Sequence, residues 1–166
     1  MTAPLPSLPF RIGQGWDTHA LVVGRPLVLG GVAIPFEKGL AGHSDADALI
    51  HAVIDALLGA AGLGDIGTLF PDTDTTFKDA DSARLLQAAV TLVHQAGWRV
   101  GNIDVIVVAQ APRLGPYKAA MRTRLATLLA VPADCVNVKA KTAEKMGPVG
   151  EGLSIEAQAV ALLVAA

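Results

Sequence analysis

The chain has 166 residues, 52% of them apolar but only 4% aromatic, with a formal charge of −2 and a single cysteine. That length fits one domain whose core must be built from Ala, Val, Leu and Ile, which favours helices packed on a sheet. The charge offers no electrostatic case for nucleic acid or an anionic membrane as partner, Asp55 interrupts the longest apolar run short of the ~18 residues of a membrane span, and Cys135 alone excludes an internal disulfide, as suits a reducing cytoplasm.

Residues 1–10 carry Pro4, Pro6 and Pro9 and no basic residue. They read as a poorly ordered leader rather than a secretory signal, with the domain spanning 11–166. Residues 11–16 form a first expected strand. Leu27-Val28-Leu29 and Val32-Ala33-Ile34 flank Gly30-Gly31 as a hairpin that Pro35 ends. Ser44 is the expected N-cap of a first helix, with Asp45 and Asp47 in its first turn. Leu49, Ile50, Val53, Ile54, Leu57 and Leu58 then recur at helical spacing up to about Gly62.

The Gly-, Asp-, Thr- and Pro-rich stretch 64–74 reads as a long loop. Asp81-Ser82 opens a second helix ending near Gly97. The β-branched run 103–108 is a buried strand, Pro116 begins a third helix ending before Pro132, and 136–141 and 155–164 are the remaining strands. The interleaving predicts an α/β (α+β) two-layer sandwich: a mixed four-stranded sheet with helices on one face plus a small N-terminal hairpin.

Asp17 and His19 are two apart, so on an extended strand they point to the same side. His51, near the start of an otherwise apolar helix, adds a third donor. A carboxylate and two imidazoles suit a catalytic divalent metal with an open position, and Asp47 or Asp55 is the expected acidic partner orienting His51. The competing reading is a turn acid and two ordinary histidines. Asp65, Asp72 and Asp74 are either turn formers or part of a mobile flap over a ligand. Thr142 and Glu144 share one side of a strand continuation, either as a charged sheet edge or as contacts for phosphate and a harder metal such as magnesium. Ala109 to Gly115 leaves a strand and enters a helix, as a plain connection or as a ligand loop.

Several segments carry a resemblance in order along the chain. They are Arg11-Ile12-Gly13-x-Gly15-x-Asp17-x-His19, Gly30-Gly31-Val32-x-Ile34-Pro35 and His43-Ser44-Asp45-x-Asp47. They continue through His51-Ala52, Asp55-Ala56-Leu57-Leu58-Gly59, Gly64-Asp65-Ile66-Gly67 and Leu69-Phe70-Pro71-Asp72-Thr73-Asp74. Gly101-Asn102-Ile103-Asp104, Ala109-Gln110-Ala111-Pro112 and Val136-Asn137-Val138-Lys139-Ala140 complete the set. Together they resemble the 2-C-methyl-D-erythritol 2,4-cyclodiphosphate synthase family of the non-mevalonate isoprenoid pathway.

The resemblance implies a bacterial cytoplasmic homotrimer with an active site between each pair of neighbours. The reaction it implies is intramolecular attack of a 2-phosphate on the β-phosphorus of a cytidyl diphosphate, releasing CMP. Carried over by position, Asp17, His19 and His51 would bind zinc, and Glu144 magnesium or manganese. His43 and Thr142 would stabilise the transition state and Ser44 would help place substrate. The family's flexible loop maps to Asp65 through Asp74, where Asp65 and Gly67 would meet the methylerythritol part and Ile66, Phe70, Asp72, Thr73 and Asp74 would also bind substrate. Ala109, Gln110, Ala111, Pro112, Arg113, Leu114 and Gly115, with Ala140 and Lys141, would form the cytidine pocket of the neighbouring subunit.

Two departures stand out. Members often carry a Thr-Thr-Thr-Glu run, where this chain has Lys141-Thr142-Ala143-Glu144. The turn Gly147-Pro148-Val149-Gly150-Glu151-Gly152 is about two residues shorter than the family's and lacks its arginine. An isoprenoid diphosphate in the central trimer cavity thereby loses a bidentate partner.

Overall fold

The structure, a computed structural model, describes residues 8–70 and 81–166. One mixed sheet is built from β1 (Phe10–Val23), β4 (Lys38–Leu40), β5 (Trp98–Val108), β6 (Val136–Lys141) and β7 (Ser154–Ala165) in the order β4-β1-β7-β5-β6. Only β5 and β6 pair in parallel. A separate hairpin joins β2 (Leu27–Leu29) to β3 (Val32–Ile34) through Gly30 and Gly31, both at positive φ. Such a two-residue turn matches the strand twist.

The sheet therefore has five strands where the sequence pattern predicts four. The fifth, β4, is three residues long and pairs with the end of β1 through Leu21↔Leu40. β1 itself runs on to Val23, well past the expected end at residue 16. The leader expected at 1–10 lies outside the described residues except for Leu8 and Pro9, and Phe10 already pairs with Val164.

Helices α1 (Ala48–Ala61), α3 (Ser82–Gln95) and α4 (Lys118–Leu129) cover one face of the sheet, with short turns α2 (Ile66–Leu69) and α5 (Gly147–Gly150) at its end. In α1, 12 of 14 residues are buried, so this apolar helix is sandwiched between the sheet and α3. The expected helix start at Pro116 is a 3₁₀ turn over Gly115–Tyr117, and α4 follows it. Among the described residues the buried core is aliphatic, without Phe, Trp or Tyr, as the composition requires.

Two glycines set the height of α1 over the sheet. A Cβ on Gly13 would meet the Ala56 carbonyl oxygen, and one on Gly15 the Ala52 carbonyl oxygen, both main-chain atoms within bonding range. β1 therefore lets the helix backbone rest directly on it. This close approach brings His51, the residue before Ala52, over Asp17, two residues beyond Gly15.

The first helix starts later than the sequence pattern implies. Ala46 adopts φ 56°, a left-handed conformation that no helix passes through. The N-cap is consequently Asp47, which accepts from Ile50 N, whereas Ser44 Oγ accepts from Ala46 N. Asp47 also takes Gly30 N at 2.9 Å and Gly31 N at 2.6 Å, tying the hairpin turn to the helix start. Burial pushes this carboxyl up to about 6, against the downward pull of those three amides.

The opposite face of the sheet is open. Ile12, Trp16 and Val160 are 66%, 52% and 45% exposed there, and Ile12 lies opposite Leu162 on β7.

Candidate active site

Asp17 and His19 project from the helix-facing side of β1, and His51 descends from α1 to meet them. Asp17 Oδ2 lies 2.9 Å from His19 Nε2 and 3.0 Å from His51 Nδ1. The two imidazole nitrogens are 3.3 Å apart. One donor atom from each residue lies within 4.8 Å of the others, a cluster able to hold a metal ion. Two imidazoles and a carboxylate suit a divalent transition metal.

Hydrogen-bond roles settle how His19 is presented. Its Nδ1 is 2.7 Å from the Ala41 carbonyl oxygen, which only accepts, so Nδ1 carries a proton and Nε2 is the nitrogen turned to the cluster, donating to Asp17 when the ring is charged and open to a metal when it is neutral. Burial pushes Asp17 upward, but hydrogen bonds and attraction from His19 and His51 outweigh it and hold the carboxyl at about 2. Burial likewise pulls His19 down, and Asp17 with the Ala41 carbonyl more than reverses this, leaving it above its ordinary value.

The acidic residues expected to orient His51 do neither. Asp47 is committed to α1 and the hairpin, and Asp55 Oδ1 accepts from Ile66 N at 2.7 Å. His51 Nε2 instead meets Ser82 Oγ at 2.9 Å, with Ser44 Oγ more distant at 3.4 Å. The sequence marked Ser82 only as a helix start. Its side chain becomes legible as a site contact once α3 is packed against α1.

A cavity of about 440 Å³ opens over the cluster, lined by Asp17, His19, Gly42, His43, Ser44, His51, Ile66, Gly67, Phe70 and Leu85. Eight of these are expected site positions, and Gly42 and Leu85 are additions that the sequence did not single out. Asp65 does not line it: its Oδ1 caps α2 by accepting from Thr68 N and Oγ1. Ile66 offers its side chain, since its amide is held by Asp55. Asp72, Thr73 and Asp74 lie outside the described residues.

Nine other expected positions line a second cavity of about 350 Å³: Ala109, Gln110, Pro112, Arg113, Leu114, Gly115, Ala140, Lys141 and Thr142, with Pro116 and Lys118; Glu144 is not among its lining residues. Ala111 is not among its lining residues. Ala109 N is already bonded to Lys141 O, and Gln110 Oε1 accepts from Lys145 N at 3.1 Å, holding the turn that carries Glu144. Glu144 and Lys145 are both left-handed, at φ 52° and 62°, a strained backbone of the kind that clusters at functional loops. Thr142 Oγ1 donates to Glu144 Oε1 at 2.8 Å.

Both cavities open at one end of the sheet. Thr18 lies beside Glu156, Glu156 beside Val108 and Val108 beside Lys141. Three strand spacings, roughly 14 Å, therefore separate the metal cluster's strand from the Thr142 loop within one protomer.

A sequence model of the YgbB family matches residues 10–164. The chain belongs to the YgbB family. It is 64% identical over 153 residues to the 2-C-methyl-D-erythritol 2,4-cyclodiphosphate synthase of Laribacter hongkongensis, covering 92% of this chain and 94% of that one. Over 154 residues it is also 64% identical to the bifunctional enzyme IspD/IspF of Albidiferax ferrireducens, of which it spans only 37%. Among solved structures it superposes on the bifunctional IspDF from Campylobacter jejuni with TM-score 0.93 at 43% identity, covering 97% of this chain and 44% of that one. It matches the CDP complex of Plasmodium falciparum IspF with TM-score 0.84 at 37% identity, over 96% and 99% of the two chains. This YgbB chain thus spans nearly all of its single-function relatives and less than half of the bifunctional ones.

Proposed function

We propose that this chain converts 4-diphosphocytidyl-2-C-methyl-D-erythritol 2-phosphate to 2-C-methyl-D-erythritol 2,4-cyclodiphosphate and CMP, a phosphorus–oxygen lyase reaction of isoprenoid biosynthesis. The observation that carries this reading is the meeting of Asp17, His19 and His51 in the cavity that His43, Ser44 and the α2 turn also line. An oxygen of the 2-phosphate bonds to the β-phosphorus, and the bond from that phosphorus to the α,β-bridging oxygen breaks. Its electron pair leaves on CMP.

Asp17, His19 and His51 would hold zinc, and Glu144 would hold magnesium or manganese. When bound, these ions supply Lewis-acid charge neutralisation at the β-phosphate and on the departing CMP. The chain's own residues do the rest. His43 and Thr142 donate hydrogen bonds to phosphoryl oxygens as charge shifts between them, and Ser44 helps place the phosphate. Ile66, Gly67 and Phe70 enclose the substrate from the α2 side and exclude water that would otherwise attack phosphorus, and Asp65, Asp72, Thr73 and Asp74 are the remaining substrate-binding positions of this segment. Residues 109–115 with Ala140 and Lys141 cradle cytosine and ribose.

A homotrimer accounts for the division into two cavities: the Thr142–Glu144 loop of one protomer completes the metal-bearing cavity of the next. The open sheet face, with Ile12, Trp16 and Val160 exposed, offers the apolar surface that a threefold assembly buries. Among the described residues no helix is long and apolar enough to cross a membrane, and the bacterial cytoplasm is the proposed location of this 11–166 domain.

Subunit mixing tests the shared site. H51A and E144Q chains are each expected to be inactive as pure assemblies. Co-expressed in equal amounts under distinct tags, they regain about one quarter of wild-type turnover, because each site draws its halves independently from two neighbours. Absence of any recovery in verified mixed trimers would place both halves in one protomer and overturn the shared site.

A further inference from the structure

We propose that Asp45 and Ser82 form a relay that fixes the ring tautomer of His51 and thereby presents Nδ1 as its metal-ligating nitrogen. Its consequence for metal binding rests on the zinc reading above. Ser82 is fully buried and His51 is 9% exposed, so neither draws its hydrogen bonds from bulk water. Asp45 Oδ2 accepts from Ser82 N at 3.1 Å and Oδ1 from Asp47 N at 3.2 Å. Asp45 Oδ1 also accepts from the Ser82 hydroxyl in a short contact.

The proton directions follow from what each atom can do. Both Asp45 oxygens already receive backbone N–H groups, so the carboxylate acts as acceptor and the one hydroxyl proton of Ser82 goes to it. The Ser82 oxygen then faces His51 Nε2, 2.9 Å away, with a lone pair. The ring must donate from Nε2. In the neutral ring Nδ1 then keeps its lone pair, 3.0 Å from Asp17 Oδ2 and 3.3 Å from His19 Nε2, and only the charged ring also donates to Asp17. Ser44 Oγ, which accepts from Ala46 N, sits beside the same Nε2 as a weaker second acceptor.

The Ser82 hydroxyl is not spent on the helix it begins. Asp81 is the N-cap of α3 and accepts from Ala83 N. A buried serine beside a cap that is already satisfied is left to serve the imidazole. Ser82 and Asp45 are positioning residues: Ser82 touches the far side of the His51 ring, and Asp45 acts on that ring through Ser82.

The test reads the tautomer directly. In wild-type protein labelled with ¹⁵N-histidine, stripped of metal and held at a pH where the His51 ring is neutral, long-range ¹H–¹⁵N correlation is expected to show His51 protonated at Nε2. In Asp45→Asn the amide oxygen stays opposite Ser82 N and the NH2 faces Ser82 Oγ. That turns the hydroxyl proton toward His51 and shifts the ring toward Nδ1–H. Ser82→Ala keeps the backbone bond to Asp45 but removes the acceptor, so both tautomers appear. In competition with a chromophoric chelator, zinc affinity falls about 10- to 100-fold in each variant.

An Nδ1–H ring in the wild type, or a tautomer unchanged in both folded variants, overturns the relay. Failure of the wild type to bind zinc would instead sink the metal reading, while the tautomer measurement still decides the relay.

Discussion

His51→Ala is expected to lower turnover by more than about a thousandfold and to leave the purified protein without zinc. Removing one of three donors leaves a carboxylate and one imidazole, too few to hold a catalytic ion against water. Loss of several kcal/mol of charge stabilisation at phosphorus corresponds to at least three decades in rate. The fold should survive, because alanine is a good helix former and α1 keeps its aliphatic contacts with the sheet. CMP release and zinc content measured on the same preparation check this. Activity within tenfold of wild type in a zinc-free variant would show that the cluster is not part of the chemistry.

Gly15→Ala is expected to cost about 3 kcal/mol of stability. The added Cβ has no side chain to push aside: it meets the Ala52 carbonyl, a main-chain atom of α1. The helix must lift from β1 and lose packing along its length, and His51 lifts away from Asp17 with it. For a chain of this size such a loss lowers the melting temperature by about 10 °C. Gly59→Ala is the matched control. Gly59 lies on the same helix, but a Cβ there meets nothing within 4 Å, so removing a helical glycine should stabilise by about 0.5–1 kcal/mol. Thermal unfolding of the two variants would contradict the account if Gly15→Ala were neutral or if the signs were reversed.

What could be read from the sequence follows from how local each signal is. Gly30-Gly31 between apolar triplets specified its hairpin because positive φ at both positions is a property of two residues. β6 was legible end to end, as a short run bounded by turn chemistry. β1 beyond residue 16 was not, because Ala20, Leu21, Val22 and Val23 no longer alternate, and β4 contains Gly39 among only three residues. The helix start was misplaced because nothing in an alanine announces a left-handed φ, and Ala46 has one. Spacing did bring out Asp17 and His19, two apart as on an extended strand, and His51 on a strongly periodic helix. Ser82 escaped for the opposite reason: its contact with His51 is 31 residues away in sequence and exists only through the packing of α3. Spacing likewise could not show that Thr142 lines a different cavity from the metal cluster, with Glu144 on the same loop, a separation set by the strand order β1-β7-β5-β6.

The most direct test of the proposed reaction is phosphorus NMR of the purified protein with the cytidyl diphosphate substrate, zinc and magnesium. One cyclic diphosphate is expected for each CMP released. CMP accompanied by an open-chain bisphosphate would mean that water, not the 2-phosphate, attacks phosphorus, and unchanged substrate in a folded, zinc-loaded assembly would contradict the synthase reading altogether.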